Sequence, residues 1–460
     1  MTGERPKAKR RRATVMGLGL FGGGVGVTRF LAAAGYDVTV TDLRDEKTLA
    51  PSVEALAGLP VTFRLGRHEM SDFTDAQLVV VNPAVPPGNE FVAAAVAHGI
   101  PIDTEIGMFV RACRGRIAGV TGSAGKSTTT ALLAQCLEAS GRRVWLGGNI
   151  GVSLLDELAR IGAGDLVVLE LSSFQLHWLR REELRPSVGV LTNIAPNHLD
   201  WHGTIEAYAQ DKTGIGPAAG GVLVACADDT RVVEIARSAP CRVVWTSRGP
   251  DVPAGDAVFW RGDDLVARRD GADETVLSRG DVKLLGEHAG WNVASAAAAA
   301  FVLGASAASV REGVRGFPGL PHRLKPIGTR NGVLCVDDSK STTPEATVSA
   351  LAAFERPVLL LAGGYDKGLD PAPMVTAAAA KAKAVFCYGA TGARLCEAMK
   401  AAGAPRVALC ETLAESVEAA LRLAGEGDVL LLSPGHASWD QFKNYEYRAA
   451  EFARAVGLAK

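Results

Sequence analysis

The chain lacks an excess of charge of either sign. Its 460 residues carry 49 Lys and Arg against 50 Asp and Glu, a formal net charge of −1. No global field therefore draws it to nucleic acid or to an anionic membrane. It also lacks paired cysteines. Eight are scattered at positions 113, 136, 226, 241, 335, 387, 396 and 410 with no C-x-x-C spacing, which suits reduced thiols better than a disulfide framework or a zinc site. Long apolar runs are missing too. The most apolar stretch, residues 293–308, is mostly alanine, too short and too weakly hydrophobic to span a bilayer. The basic run at 7–12 is followed at once by glycines instead of an apolar signal segment, and reads as a solvated tail. These absences predict a soluble cytoplasmic chain with no nucleic-acid partner and no membrane insertion.

What is present begins with length, enough for about three domains of roughly 100–200 residues each. The chain is organised around residues 116–130. Residues 117–120 read as a buried strand, 122–127 as the turn Gly-Ser-Ala-Gly-Lys-Ser, and 128–139 as a helix. Strand, glycine turn, Lys, hydroxyl and helix make a phosphate cradle. Gly122 and Gly125 let the backbone curl so that amides around Ser123 and Ala124 face an anion. The helix start at Thr128 adds its positive dipole end. Lys126 would neutralise phosphate charge and the Ser127 hydroxyl would ligate Mg²⁺. Val120 stands where the longer form of the motif has glycine.

Residues 1–112 open with a second glycine turn, Gly17-Leu-Gly19-Leu-Phe-Gly22, between a strand at 13–16 and a helix running to residue 34. A strand at 38–40 then leads to Asp42. This is the dinucleotide fingerprint with its acid about twenty residues on. Alone it predicts a nicotinamide cofactor, but no hydride-transfer constellation accompanies it.

Residues 113–319 alternate strands and helices in the manner of a doubly wound sheet. Apolar residues 166–169 end in Glu170, at the mouth of a buried strand, where an acid holds Mg²⁺ beside a phosphate loop. Another strand, 188–191, runs toward Asn197-His198-Leu199-Asp200, and a helical stretch carries Lys212. Residues 220–280 read as short antiparallel covering strands. Residues 320–460 alternate again, with polar residues at the strand ends: 337–342, 362–367 and 433–445. Such a row marks the binding edge of an α/β sheet. The fold class expected is α/β in three domains: a Rossmann-like N-terminal domain, a P-loop ATPase-like centre and a Rossmann-like C-terminal domain.

The short loop Gly-x-x-Gly-Lys-Ser-Thr resembles that of the Mur ligase and folylpolyglutamate synthetase superfamily. Gly-Gly-Asn-Ile-Gly at 147–151, Glu-Leu-Ser-Ser-Phe-Gln-Leu at 170–176 and the helical Lys212 resemble the Mur ligases. Asp-Asp-Ser-Lys at 337–340 and Ser-Pro-Gly-His-Ala-Ser-Trp-Asp-Gln-Phe at 433–442 resemble their D-glutamate-adding branch. The resemblance implies an ATP-dependent ligase that adds D-glutamate to UDP-N-acetylmuramoyl-L-alanine through an acyl phosphate, in peptidoglycan precursor synthesis. It implies UDP-substrate contacts at Gly19, Leu20, Phe21, Asp42, Arg44, Asn149 and His198. ATP would meet the loop, with Asn292 reading adenine, Arg323 at the γ-phosphate, and Asp338. Two Mg²⁺ ions would be held by Ser127, Glu170, His198 and a carbamylated Lys212. The amino acid would be held by Thr342, Lys367, Ser438, Trp439 and Tyr445. Lys126, Lys212, His198 and Arg323 would carry the catalysis, in a monomer, with closure of the domains. Ala289, Ala84 and His436 depart from the family pattern. The alternatives are another Mur-type or folylpolyglutamate-type ligase, which in the latter case needs no UDP site, or a nucleotide-sensing regulator without chemistry.

Overall fold

The computed structural model describes residues 10–20, 22–151, 153–181 and 185–459. Lys7 to Lys9 of the basic run, and Phe21 among the expected UDP contacts, lie outside the described residues. Among the described residues three sheets are present. The first is fully parallel, in the order Val61–Leu65, Asp37–Asp42, Arg12–Met16, Leu78–Val81, Ile102–Asp103. The direction in which successive strands are added reverses between the strands beginning at Arg12 and Leu78, the switch point at which open sheets bind ligands.

The second sheet has nine strands, and the cradle strand Arg116–Thr121 lies inside it between Val188–Leu191 and Leu166–Glu170. Leu166–Glu170 is buried at every residue, as an inner parallel strand covered on both faces must be. Residues 220–280 do not form an antiparallel cover throughout. Val222–Cys226 and Arg242–Ser247 pair in parallel with their neighbours, Ala257–Arg261 included, and only the pairings of Asp264–Arg269 with Ala257–Arg261 and with Ala272–Ser278 are antiparallel. The reason is the amphipathic helix Thr230–Arg237 between the first two, which supplies the crossover a parallel pair requires.

The third sheet runs Lys325–Arg330, Val333–Asp337, Val429–Leu432, Val358–Gly363, Ala382–Tyr388, Val407–Leu409 and is parallel except at its first strand. By compactness the chain divides into two units. One comprises the residues through Arg279 with Trp291–Val314, and the other Gly280–Gly290 with the residues from Arg315 onward. Residues 280–290 join the second unit because Leu285 packs on its core and Gly286 abuts Ala353. Among the described residues no helix is long and apolar enough to cross a membrane.

Candidate functional site

The glycine turn starts as expected, but its helix, Lys126–Glu138, begins two residues early, with Gly125 as a left-handed cap. Gly122 (φ 153°) and Gly125 (φ 83°) are obligatory here. A Cβ on Gly122 would stand 1.9 Å from the Thr192 hydroxyl oxygen, and one on Gly125 would stand 2.4 Å from Asn292 Oδ1. The loop is strapped down by residues 192–195. Asn193 accepts from the Ser123 amide through its carbonyl (2.9 Å) and from the Ala124 amide through Oδ1 (2.9 Å). Thr192 Oγ1 donates to the Ala124 carbonyl, and Ser123 Oγ is met by Ala195 and by the Tyr208 hydroxyl at 2.9 Å. The amides of Ser123 and Ala124, expected to face an anion, are thus engaged by Asn193. Asn292, expected at adenine, lies against the loop itself and accepts from Thr129 Oγ1 at 3.3 Å. Lys126 folds back and donates to the carbonyls of Gly122 and Ser123.

Beside the loop stands Glu170, 2% exposed. Its Oε1 accepts from the Asn149 side-chain amide at 2.9 Å, whereas Oε2 is buried and accepts from no protein group. A buried carboxylate oxygen without a donor is costly and fits a cation. Asn149 therefore orients the acid, a role the sequence reading did not assign it. Gly148 allows this wrap, since a Cβ there would strike the Glu170 carbonyl oxygen at 2.2 Å.

Lys212 ends the helix Ile205–Lys212 and is 1% exposed, not the solvated lysine such a position commonly carries. Its Nζ donates to Thr121 Oγ1 (3.2 Å) and the Gly122 carbonyl (3.0 Å), and lies 4.7 Å from the centre of the Tyr208 ring. Burial, and then the Lys126 cation, hold its amine well below the usual lysine range, with Glu170 opposing. A lysine that gives up its proton more readily is the better nucleophile toward CO₂. His198 adopts a left-handed conformation (φ 54°) and packs 4.9 Å from Phe174. Desolvation by its neighbours, then Lys126, lowers its ring from the ordinary histidine range. A non-glycine residue held in that conformation stores strain that surrounding structure must hold. Among the described residues no group of three or more His, Cys, Asp and Glu side chains is arranged for a metal. Of the expected magnesium ligands Ser127, Glu170, His198 and Lys212, Glu170 is the one that shows a buried, unpartnered side-chain atom among the described residues.

In the N-terminal sheet, Asp42 is 7% exposed and its two oxygens accept from the amides of Gly19 (3.1 Å) and Arg44 (3.0 Å). It thereby shapes both the glycine turn and the turn that follows its own strand. Leu20 and Arg44 are exposed above it. The loop after Leu78–Val81 is shaped by Asn82, which accepts from the Ala84 amide, and the Ala84 carbonyl accepts from the Trp201 indole at 3.0 Å.

In the second unit, Asp338 is 4% exposed and accepts from Ser341 Oγ, Ser433 Oγ and the Leu324 amide. Burial pushes its carboxyl up to about 6. Arg323 sits between His322 (φ 60°) and Leu324 (φ 42°), both left-handed, and the His322 ring is held by Asp337 at 2.6 Å. The three strand-end loops meet at Arg448, which is fully buried. It donates to the Ser339 hydroxyl and carbonyl and to the His436 carbonyl, and lies against Gly364. Ser438 is buried near these loops, and Thr342 is half-buried. Lys367 reaches over Trp439 at 5.2 Å from the ring centre, and Trp439 meets Tyr365 at 5.5 Å. Burial, then the Arg448 cation, lowers the Lys367 amine. Lys340 lies over the ring of Tyr445. His436 is buried with Nε2 unpartnered. The sequence reading missed Asn193, Tyr208 and Arg448. Only the run 192–200, polar after an apolar strand, hinted at the first.

Family models match in three consecutive segments: a Mur ligase MurD-like N-terminal domain at residues 11–104, a Mur ligase middle domain at 120–300, and a Mur ligase glutamate ligase domain at 322–436. A protein of Roseiflexus sp. (strain RS-1) named UDP-N-acetylmuramoylalanine–D-glutamate ligase is 42% identical, over 97% of this chain and 98% of its own. One of the same name from Symbiobacterium thermophilum is 38% identical over the same shares. The crystal structure of UDP-N-acetylmuramate–alanine ligase from Thermotoga maritima shares the fold with a TM-score of 0.60 at 20% identity, covering 98% of this chain and 100% of that one. A strapped phosphate loop, a buried strand-end acid and a buried lysine beside it thus stand in a chain matched along its length, and this chain belongs to the Mur ligase family, with that family's three-domain α/β fold.

Proposed function

We propose that the chain uses ATP to join D-glutamate to UDP-N-acetylmuramoyl-L-alanine, a step of peptidoglycan precursor synthesis. The observation that carries the chemistry is the buried Lys212 amine, bonded to the Gly122 carbonyl and acted on by the charge of Glu170, whose Oε2 has no donor. The two substrates rest on the names of the relatives that match end to end. The substrate carboxylate attacks the γ-phosphorus and ADP leaves. The amine of the amino acid then attacks the acyl carbon, phosphate departs, and the nitrogen loses a proton.

Within this reading the amides from Gly125 into the first helical turn, with Lys126 and Thr128, hold the phosphates, and Gly122, Ser123 and Ala124 keep the loop in shape. Asn292 supports the loop. Ser127 and Glu170 would hold one Mg²⁺ ion, and His198 with the Lys212 carbamate a second, and such ions would supply neutralisation of the charge on the transferring phosphoryl group. Arg323 meets the γ-phosphate, with Asp338 fixing its loop. Gly19, Leu20, Phe21, Asp42 and Arg44 grip the UDP portion within residues 1–112, and Asn149 orients Glu170 within 113–319. Residues 320–460 supply Thr342, Lys367, Ser438, Trp439 and Tyr445 for the amino acid, with Lys367 as counter-charge to its side-chain carboxylate. The protein works as a monomer in the cytoplasm. The test offers purified protein, ATP, Mg²⁺ and UDP-N-acetylmuramoyl-L-alanine with D-Glu, L-Glu, L-Ala, L-Lys and diaminopimelate in parallel. Phosphate release with D-Glu alone is expected. Turnover with a diamino acid, or with L-Ala on UDP-N-acetylmuramate, would move the chain to another branch.

A further inference from the structure

Behind Lys212 lies a polar cluster that the chemistry above does not use. Its hub is His202, whose side chain is 0% exposed. On one side His202 Nδ1 meets Asp211 Oδ2 at 3.0 Å, and Asp211 is the residue before Lys212. On the other, His202 Nε2 meets Ser173 Oγ at 2.9 Å, three residues after Glu170. A carboxylate only accepts, so Nδ1 carries the hydrogen toward Asp211 and Nε2 accepts from the Ser173 hydroxyl. The ring is pinned in orientation as well. Phe174 stacks on it at 5.5 Å and 3°, and its edge meets Tyr208 at 5.1 Å. Tyr208 is the ring over which the Lys212 nitrogen lies. Asp211 is further anchored by His177 Nδ1 (2.9 Å) and Arg180 (3.1 Å).

We infer that His202 is a positioning residue for Lys212, coupling the strand end at Glu170 to the lysine through Ser173 on one side and Asp211 and Tyr208 on the other. The inference rests on the reading of Lys212 as the site of carbamylation, in which the amine nitrogen bonds to the carbon of CO₂ and releases one proton to solvent. Bonds of this kind around a ligand set its orientation and affinity. A single ring bonded to Ser173 and Asp211 ties the segment after Glu170 to the helix end that carries Lys212, and so holds the two in register. A histidine kept only for packing would have no need of both ring nitrogens.

The experiment uses the full chain, ¹³C-bicarbonate and NMR detection of the lysine carbamate, with nucleotide binding without Mg²⁺ and thermal unfolding measured alongside. His202→Phe keeps the aromatic stack and loses both hydrogen bonds. It is expected to raise the bicarbonate concentration for half-occupancy about tenfold, with nucleotide binding unchanged. Ser173→Ala should shift the curve in the same direction by less, and decides the matter if His202→Phe does not fold. A folded variant whose occupancy curve overlays that of the wild type overturns the role of His202. A wild-type protein with no carbamate at saturating bicarbonate sinks the reading of Lys212, and the proposal with it.

Discussion

Asp42 and Glu170 hold the same position in two different sheets. Each is the last residue of a parallel strand, and each strand pairs with the one that opens into a glycine turn. Both are buried. They differ in who meets their oxygens. Asp42 accepts one backbone amide on each oxygen, from Gly19 and Arg44. Glu170 accepts one side-chain amide on Oε1 and no protein donor on Oε2. A strand-end acid with its bonds filled by the backbone is a brace for turns. One with a buried oxygen left over is open to a cation.

The comparison can be broken most forcefully at the central loop. Lys126→Ala should lower ligation by about 100-fold or more in a protein that still folds, as removal of a transition-state cation does. Rates within a few-fold of wild type would refute the phosphate role of the turn. Next comes Glu170→Gln, which keeps the shape and the Asn149 bond but not the charge. It should cost on the order of 100-fold in kcat and raise the Mg²⁺ requirement, read by titrating Mg²⁺ in the steady state.

Asp42→Asn is the matched control. It should raise KM for the UDP substrate by about tenfold at most, in line with a weakened pair of hydrogen bonds, and leave the Mg²⁺ titration alone. Equal Mg²⁺ responses at the two acids would erase the distinction. The smallest effect is expected at a third buried acid near a strand end, Asp338, whose carboxyl is pushed up to about 6 by burial. The folded state then holds a proton that the unfolded state releases between the ordinary carboxylate range and about 6. Stability accordingly falls as pH rises through that window. Asp338→Asn should flatten this slope in the ligand-free protein, by no more than about 3 kcal/mol across the window, as checked by denaturation at pH 4.5 and 7.

The glycine turns and the strand-end acids were legible because they are local: apolar run, turn and acid lie within a few residues of one another. The parallel order of Val222–Cys226 and Arg242–Ser247 was not, since strand direction depends on the crossover helix between them and not on the strands' own residues. Nor was the strap at Asn193, which lies 69 residues from the amide of Ala124 that it accepts. Lys212 illustrates the limit. Its type, its helical setting and the Tyr208 ring one turn before it could be read, but the partners of its amine, Thr121 and the Gly122 carbonyl, lie some ninety residues away.

Arg448 carries a consequence for anyone wishing to exchange loops within the second unit. One guanidinium holds Ser339 after one strand and His436 after another, and stands against Gly364 after a third. The three loops are therefore not interchangeable modules. A loop 433–441 transplanted from a relative would have to present a carbonyl where His436 presents its own, and any side chain at 364 would press on the guanidinium. Recombination between family members should succeed when breakpoints carry all three loops together with the helix Tyr445–Ala455, and fail when they fall between them.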